Sequence, residues 1–192
     1  APTTGIEGTI SLGSLTHGCA LVQGGVKCWG TVAEGLGDGS TTSSNSLITV
    51  KNIAGSAALT GAQSVSAGSS HACAVVNGAA LCWGRNTEGQ LGNSSTTSSS
   101  LPVQVTGLTS GVQSVSAGLE HSCALVNGTV KCWGGNSVGQ LGDNSTTNST
   151  SPVTVNGITG GTSMISVGDY HSCAIIYGAA KCWGYNGWRQ LG

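Results

Sequence analysis

His71-Ala72-Cys73-Ala74-Val75-Val76-Asn77-Gly78-Ala79-Ala80-Leu81-Cys82-Trp83-Gly84 reads as two strands folded back on each other. Asn77-Gly78 sits midway between Cys73 and Cys82, and a two-residue Asn-Gly loop favours the primed turn whose twist matches that of paired strands. Pairing outward from it sets Val76 against Ala79, Val75 against Ala80, Ala74 against Leu81 and Cys73 against Cys82. The pair beside the loop is hydrogen-bonded, so alternation makes the cysteines a non-hydrogen-bonded pair. Such pairs hold their Cα atoms roughly 4.5 Å apart, within reach of a disulfide.

The same arithmetic works three more times. Cys19 meets Cys28 across Gln23-Gly24, Cys123 meets Cys132 across Asn127-Gly128, and Cys173 meets Cys182 across Tyr177-Gly178. Tyr177 suits a positive φ less well than Asn, so the primed turn is least favoured there. His71, His121 and His171 recur at intervals of 50, and His17 precedes His71 by 54. Each hairpin leads to a Cys-Trp-Gly triplet, a Ser/Thr-rich loop, a short apolar strand such as Pro102-Val103-Gln104-Val105, and then a segment like Ser114-Val115-Ser116-Ala117-Gly118. Four short strands per 50 residues is the content of one propeller blade. The chain is therefore expected to be all-β: one domain, residues 1–192, of four blades with four antiparallel strands each, in repeats 1–46, 47–100, 101–150 and 151–192.

Alternation also assigns faces. His71, Cys73 and Val75 share one face with Gly84, Cys82 and Ala80, while Ala72, Ala74 and Val76 share the other with Trp83, Leu81 and Ala79. Each Trp lies opposite a small residue (Gly18, Ala72, Ser122 or Ser172), which leaves room for the indole. Burying one Trp is worth roughly 4–6 kcal/mol gross. Both faces are mostly apolar, so each hairpin requires a neighbour on either side. Each disulfide closes a loop of about ten residues, worth roughly 2.5–3 kcal/mol in the chain-entropy model.

Ala117 to Gly142, and nearly as closely Ala67 to Gly92, carry the run Ala-Gly-x-x-His-x-Cys-Ala, a central Asn-Gly, then Cys-Trp-Gly-x-Asn-x-x-Gly-Gln-Leu-Gly. This resembles the regulator of chromosome condensation repeat, and the likeness extends over essentially the whole chain. The resemblance implies a propeller, usually of seven blades, that serves as a binding platform. The family includes a nucleotide-exchange factor for a nuclear GTPase and a secreted bacterial β-lactamase inhibitor. The paired cysteines resemble the secreted bacterial branch. No functional residue carries over, because those activities depend on individual loops. The first copy is eroded, Gly30 to Gly37 lacking the Gln, and Trp188-Arg189-Gln190 stands in the last copy where Val138-Gly139-Gln140 stands in the third. Ala1-Pro2-Thr3-Thr4-Gly5-Ile6 aligns loosely with Ser151 to Ile158, so a segment completed by another copy or by further repeats is expected.

Composition excludes several functions. Four Lys and two Arg are scattered and the net charge is -1, against a nucleic-acid partner, whose phosphates demand clustered cations. No uninterrupted apolar run approaches the roughly 20 residues of a membrane span. The start at Ala1-Pro2 reads as that of a mature or excised segment. His-x-Cys with a facing Cys offers three zinc ligands per repeat, but the position that could add a fourth is Thr16, Ser70, Glu120 or Tyr170. Disulfides with a structural His, bonded to backbone between blades, are expected instead of a metal. Three Asp and four Glu recur at no paired position, and neither a nucleophile elbow nor a phosphate loop is present, so neither catalysis nor a cofactor is expected. Asp38 and Asp143 read as turn residues.

Regular cysteine pairs point to an oxidising, extracellular setting. Sequons at Asn93, Asn127, Asn144 and Asn148 fall on a hairpin tip or in the polar loops and are candidate glycosylation sites. All three Tyr and the extra Trp lie in the last repeat, and hairpin arithmetic places Tyr170 opposite Tyr185 with Trp188 and Arg189 close by. The equivalent pairs are Thr16 with Thr31, Ser70 with Arg85 and Glu120 with Gly135, so an aromatic cluster there marks a candidate interface. Two functions follow. The leading one is a structural building block of an extracellular surface assembly or filament, formed by self-association. The other is a secreted recognition module for a protein or glycan.

Overall fold

The computed structural model describes residues 9–14 and 16–192; the loose alignment of Ala1 to Ile6 with Ser151 to Ile158 lies outside the described residues. Those residues form four antiparallel sheets. The first comprises β1 (Ile10–Leu12), β2 (His17–Val22), β3 (Gly25–Gly30) and β4 (Ser44–Thr49). The second comprises β5 (Ala62–Ala67), β6 (His71–Val76), β7 (Ala79–Gly84) and β8 (Ser99–Gln104). In the third stand β9 (Val112–Ala117), β10 (His121–Val126), β11 (Thr129–Gly134) and β12 (Ser149–Thr154). The fourth has three described strands, β13 (Thr162–Val167), β14 (His171–Ile176) and β15 (Ala179–Gly184). Each sheet is a sequential meander and forms one blade.

The central hairpins take the expected register in all four blades, with Cys19 opposite Cys28, Cys73 opposite Cys82, Cys123 opposite Cys132 and Cys173 opposite Cys182. All four pairs form disulfides, with Cα atoms 4.0–4.1 Å apart. Gln23, Asn77, Asn127 and Tyr177 have φ of 49–50°, each followed by a Gly at positive φ, so the primed turn forms even on Tyr177. The repeat boundaries at 46/47, 100/101 and 150/151 fall inside β4, β8 and β12, whereas hydrogen bonding gives each of these strands to the sheet that precedes it. A repeat length says how long a unit is without saying where it begins.

The first strand of every blade is innermost, since β1, β5, β9 and β13 touch in succession. The fourth strand is the outer edge, and Pro102 and Pro152 sit there, where a missing N–H breaks no ladder. Between blades lie three apolar clusters of one design. In the middle cluster Cys73, Val75, Ala80 and Cys82 of blade 2 pack against Val112, Val115, Ala124, Val126 and Trp133 of blade 3. The disulfide face of each blade thus meets the Trp face of the next. Gly92 and Gly142 let the loops close over the following indole: a Cβ on Gly92 would lie 2.7 Å from the Trp133 ring.

Candidate functional site

A repeated polar lock crosses the seams. Trp133 Nε1–H donates to the Gln90 carbonyl at 2.9 Å, and Trp183 Nε1–H to the Gln140 carbonyl at 3.0 Å. Ser122 and Ser172 hydroxyls donate to the same carbonyls, each at 3.0 Å. A hydroxyl has one hydrogen, so Ser122 must accept from His71 Nε2–H, 2.8 Å away, and Ser172 from His121 Nε2–H, 2.9 Å away. In both His71 and His121 the Nε2 therefore carries a hydrogen. Their Nδ1 atoms are buried with no hydrogen-bond partner among the described residues. Burial lowers both pKa values to about 3, reinforced by the neighbouring histidines. The expectation of backbone partners between blades holds for His17, which bonds the backbone of Ser69 and His71; it is corrected for His71 and His121, which bond a side-chain hydroxyl of the next blade. The signal lay in the residue after each His, Ser in the third and fourth copies and Ala72 in the second, where His17 finds no hydroxyl.

Asn86 and Asn136, fully buried, organise the loops that carry the lock. Asn136 Nδ2 donates to Asp143 Oδ1, Ser145 O and Thr147 O, and its Oδ1 accepts from Leu141 N. Asp143 accepts from the Ser145 N–H and hydroxyl, and Asp38 does the same with Ser40, so both are the expected turn residues. Burial raises the Asp143 pKa, but hydrogen bonds from Ser145 and Asn136 outweigh it and hold the carboxyl below its ordinary value. The repeat run carries both Asn residues four before each Gln, but the sequence assigned them no role.

The candidate interface residues sit at the seam between blades 3 and 4. Tyr185 N–H donates to the Tyr170 carbonyl at 2.9 Å, extending the hairpin as the alternation implied. The Tyr170 and Tyr185 rings pack edge to face at 6.4 Å, and Tyr185 and Trp188 at 5.5 Å. With Ser137 and Val138 of blade 3 they line a hollow of about 210 Å³. Trp188 is 80% exposed. Arg189 is exposed nearby at φ 61° and does not line the hollow.

Among the sequons, Asn93 is half-buried and accepts from Asn86 Nδ2 at 3.1 Å. Asn148 spans two blades, accepting from Asn136 N and donating to Glu88 Oε2. Asn127 and Asn144 are exposed on turns. No helix among the described residues is long and apolar enough to cross a membrane.

No curated protein sequence matches the chain. Among solved structures it is similar to yeast RCC1 (Prp20) bound to Kap60, with TM-score 0.75 and 21% identity over 97% of this chain and 46% of that one. It is similar too to Saccharomyces cerevisiae Prp20p, studied for its binding to Gsp1p and histones (TM-score 0.74, 20% identity, 97% and 47% covered). Human WBSCR16 follows, with TM-score 0.72 and 20% identity over 92% of this chain and 46% of that one. The chain thus spans about half the length of these proteins, and at such identities the likeness shows the fold alone. Models of the Regulator of chromosome condensation (RCC1) repeat match residues 77–125 and 127–175, and again 62–90 and 112–140. Those matches, together with blades whose indole, disulfide and Gly-Gln-Leu-Gly loop lock onto one another in the same way at successive seams, make this chain a member of the regulator of chromosome condensation repeat family.

Proposed function

We propose that the chain is a non-catalytic recognition module whose partner is a protein docking at the seam between blades 3 and 4. The observation that carries this reading is the Tyr170, Tyr185 and Trp188 cluster. An indole that is 80% exposed stands beside an aromatic-lined hollow, at positions that are small, polar or aliphatic in the other repeats. Tyr and Trp anchors with a neighbouring Arg are the residues that dominate protein interfaces, and Arg189 supplies the cation. Kap60, Gsp1p and histones, the molecules named with the yeast relative, are all proteins, which supports a protein ligand over a glycan.

Four disulfides suit an oxidising compartment, and we place the module outside the cell. Asn127, Asn144 and Asn148 are exposed, but the Asn148 amide is tied to Glu88 and Asn136, so Asn127 and Asn144 are the sequons that suit glycosylation; an intact mass equal to the bare polypeptide would remove that part of the reading.

The test uses immobilised parent chain and a Tyr185→Ala/Trp188→Ala variant, both probed with a displayed peptide library and a glycan array. Peptide ligands retained by the parent and weakened at least tenfold by the variant support the reading. Ligands indifferent to the variant, or glycans as the only ligands, overturn it.

A further inference from the structure

Asn-Gly occurs at Asn77-Gly78, Asn127-Gly128, Asn156-Gly157 and Asn186-Gly187. The pair is chemically labile, because Gly puts no side chain in the way when its backbone nitrogen approaches the amide carbon of the preceding Asn. The fold treats the four pairs differently.

At the hairpin tips both reacting groups are held. Gly78 N–H donates to Gln63 Oε1 at 2.8 Å, and Gly128 N–H to Gln113 Oε1 at 3.1 Å. The Asn77 and Asn127 amides lie against Gly61 and Gly111, where a Cβ would collide with them. A nitrogen whose hydrogen is engaged gives up its proton less readily, and an amide pressed onto a neighbouring loop is kept from turning toward it. In the last pair Asn186 Oδ1 accepts from Leu191 N–H at 3.1 Å.

Asn156-Gly157 has none of these restraints. It lies in the turn that joins β12 to β13, with Gly157 at φ 72° and open space where its Cβ would be. Both residues are exposed, and among the described residues neither the Asn156 side-chain amide nor the Gly157 N–H has a hydrogen-bond partner. Thr106-Gly107 forms the same turn between two complete four-stranded blades, and it is exposed too, with Gly107 at φ 72°. The openness therefore belongs to the turn itself.

We propose that Asn156 is a site of spontaneous modification to aspartate and isoaspartate, and that Gln63 and Gln113 shield the hairpin tips from the same reaction. The Gly157 nitrogen loses its proton to hydroxide and bonds to Asn156 Cγ. The Cγ–Nδ2 bond breaks, ammonia leaves with a proton returned by water, and a five-membered succinimide remains. Water then adds to either ring carbonyl. Opening at one gives aspartate, and opening at the other gives isoaspartate, which carries the main chain through Cβ. The Asn156 N–H donates to the Gly142 carbonyl at 2.8 Å, and Gly142 lies against the Trp183 indole. The new carboxylate and the lengthened main chain thus arise beside the packing of the seam between blades 3 and 4. The proposal does not rest on the recognition reading.

The test ages the disulfide-intact chain, free of glycan, at mildly alkaline pH. Reduction and tryptic digestion then place Asn77, Asn127 and Asn156 in separate peptides, ending at Arg85, Lys131 and Lys181. Mass spectrometry should show amide loss at Asn156 about tenfold faster than at Asn77 and Asn127. In chain reduced and unfolded in guanidinium throughout, all three should convert at similar rates. Gln63→Ala should raise the Asn77 rate about tenfold, while Asn127 stays slow and reports that the fold is intact. Equal rates at the three sites of the folded chain, or an Asn156 as slow as the hairpin tips, overturn the modification site. An Asn77 rate indifferent to Gln63→Ala overturns the shielding.

Discussion

Blade 3 and blade 4 carry almost the same hairpin, His121 to Gly134 and His171 to Gly184, and hold it in the same register with the same disulfide. Their surroundings differ. Blade 3 is covered on both faces: Trp133 is 0% exposed, Cys123 and Cys132 are buried, and His121 is sealed against Ser172. In blade 4 Trp183 keeps its bond to Gln140, but Cys173, Cys182 and His171 are only half-buried and no fourth strand is described. Hairpin geometry is a local property of turn and pairing, while burial belongs to the pair of blades that meet. A blade therefore has a conformation of its own and a stability that it shares.

The comparison can be broken most readily at the indoles. Trp133→Ala should cost about 3–5 kcal/mol, since it empties a closed seam and leaves the Gln90 carbonyl short of a donor. Trp29→Ala, on the half-open face of blade 1, should cost roughly half as much. Urea unfolding of the two variants checks this, and equal losses would mean that the indoles act only within their own hairpins.

Acid should act next. The unfolded chain binds protons at His71 and His121 below about pH 6.5, whereas the folded chain refuses them until about pH 3. Their contribution is thus complete above pH 6.5 and is lost as pH falls toward 3, at about 1.4 kcal/mol per histidine per unit. Urea midpoints between pH 7.5 and 4.5 should show that slope, and His121→Gln should halve it. A flat profile would remove the neutral histidine lock.

Removing the disulfides sharpens the contrast further. Cys173→Ala/Cys182→Ala should cost about 2.5–3 kcal/mol, the loop-closure term alone. Cys123→Ala/Cys132→Ala should cost about 1 kcal/mol more, because its sulfurs also fill a closed seam. Calorimetry of the two double variants reads the difference. The smallest effect lies at the turns. Asn77 and Asn127 lie over Gly61 and Gly111 as Tyr177 lies over Gly161, all at φ 49°. Tyr177→Asn should stabilise blade 4 by about 0.5–1 kcal/mol, and a loss instead would show that the ring makes a contact worth more than the turn strain.

Much of this was legible before any coordinates. The disulfide pairing and the hairpin register follow from Asn77-Gly78 and the fixed cysteine spacing, since a two-residue turn leaves one register open. Tyr170 opposite Tyr185 follows from the same count. The partners of His71 and His121 were misjudged because Ser122 and Ser172 lie 51 residues away in the next blade, and only the fold brings them together. Asn86 and Asn136 stand in the repeat run, but their role was not legible there, because the loop carbonyls they bind come within reach only when the loop folds back over them.

The amino-acid sequence by itself determined the blade: its strands, its turn, its staple and the two apolar faces that require cover. All of these depend on contacts within about ten residues of a turn, where chain geometry leaves few alternatives. Only the tertiary structure decided which face meets which. Trp133 and Trp183 each seat over the disulfide of the blade before and bond a carbonyl in that blade's loop. That choice rests on shape and hydrogen bonding between segments about 50 residues apart, which periodicity announces but cannot orient.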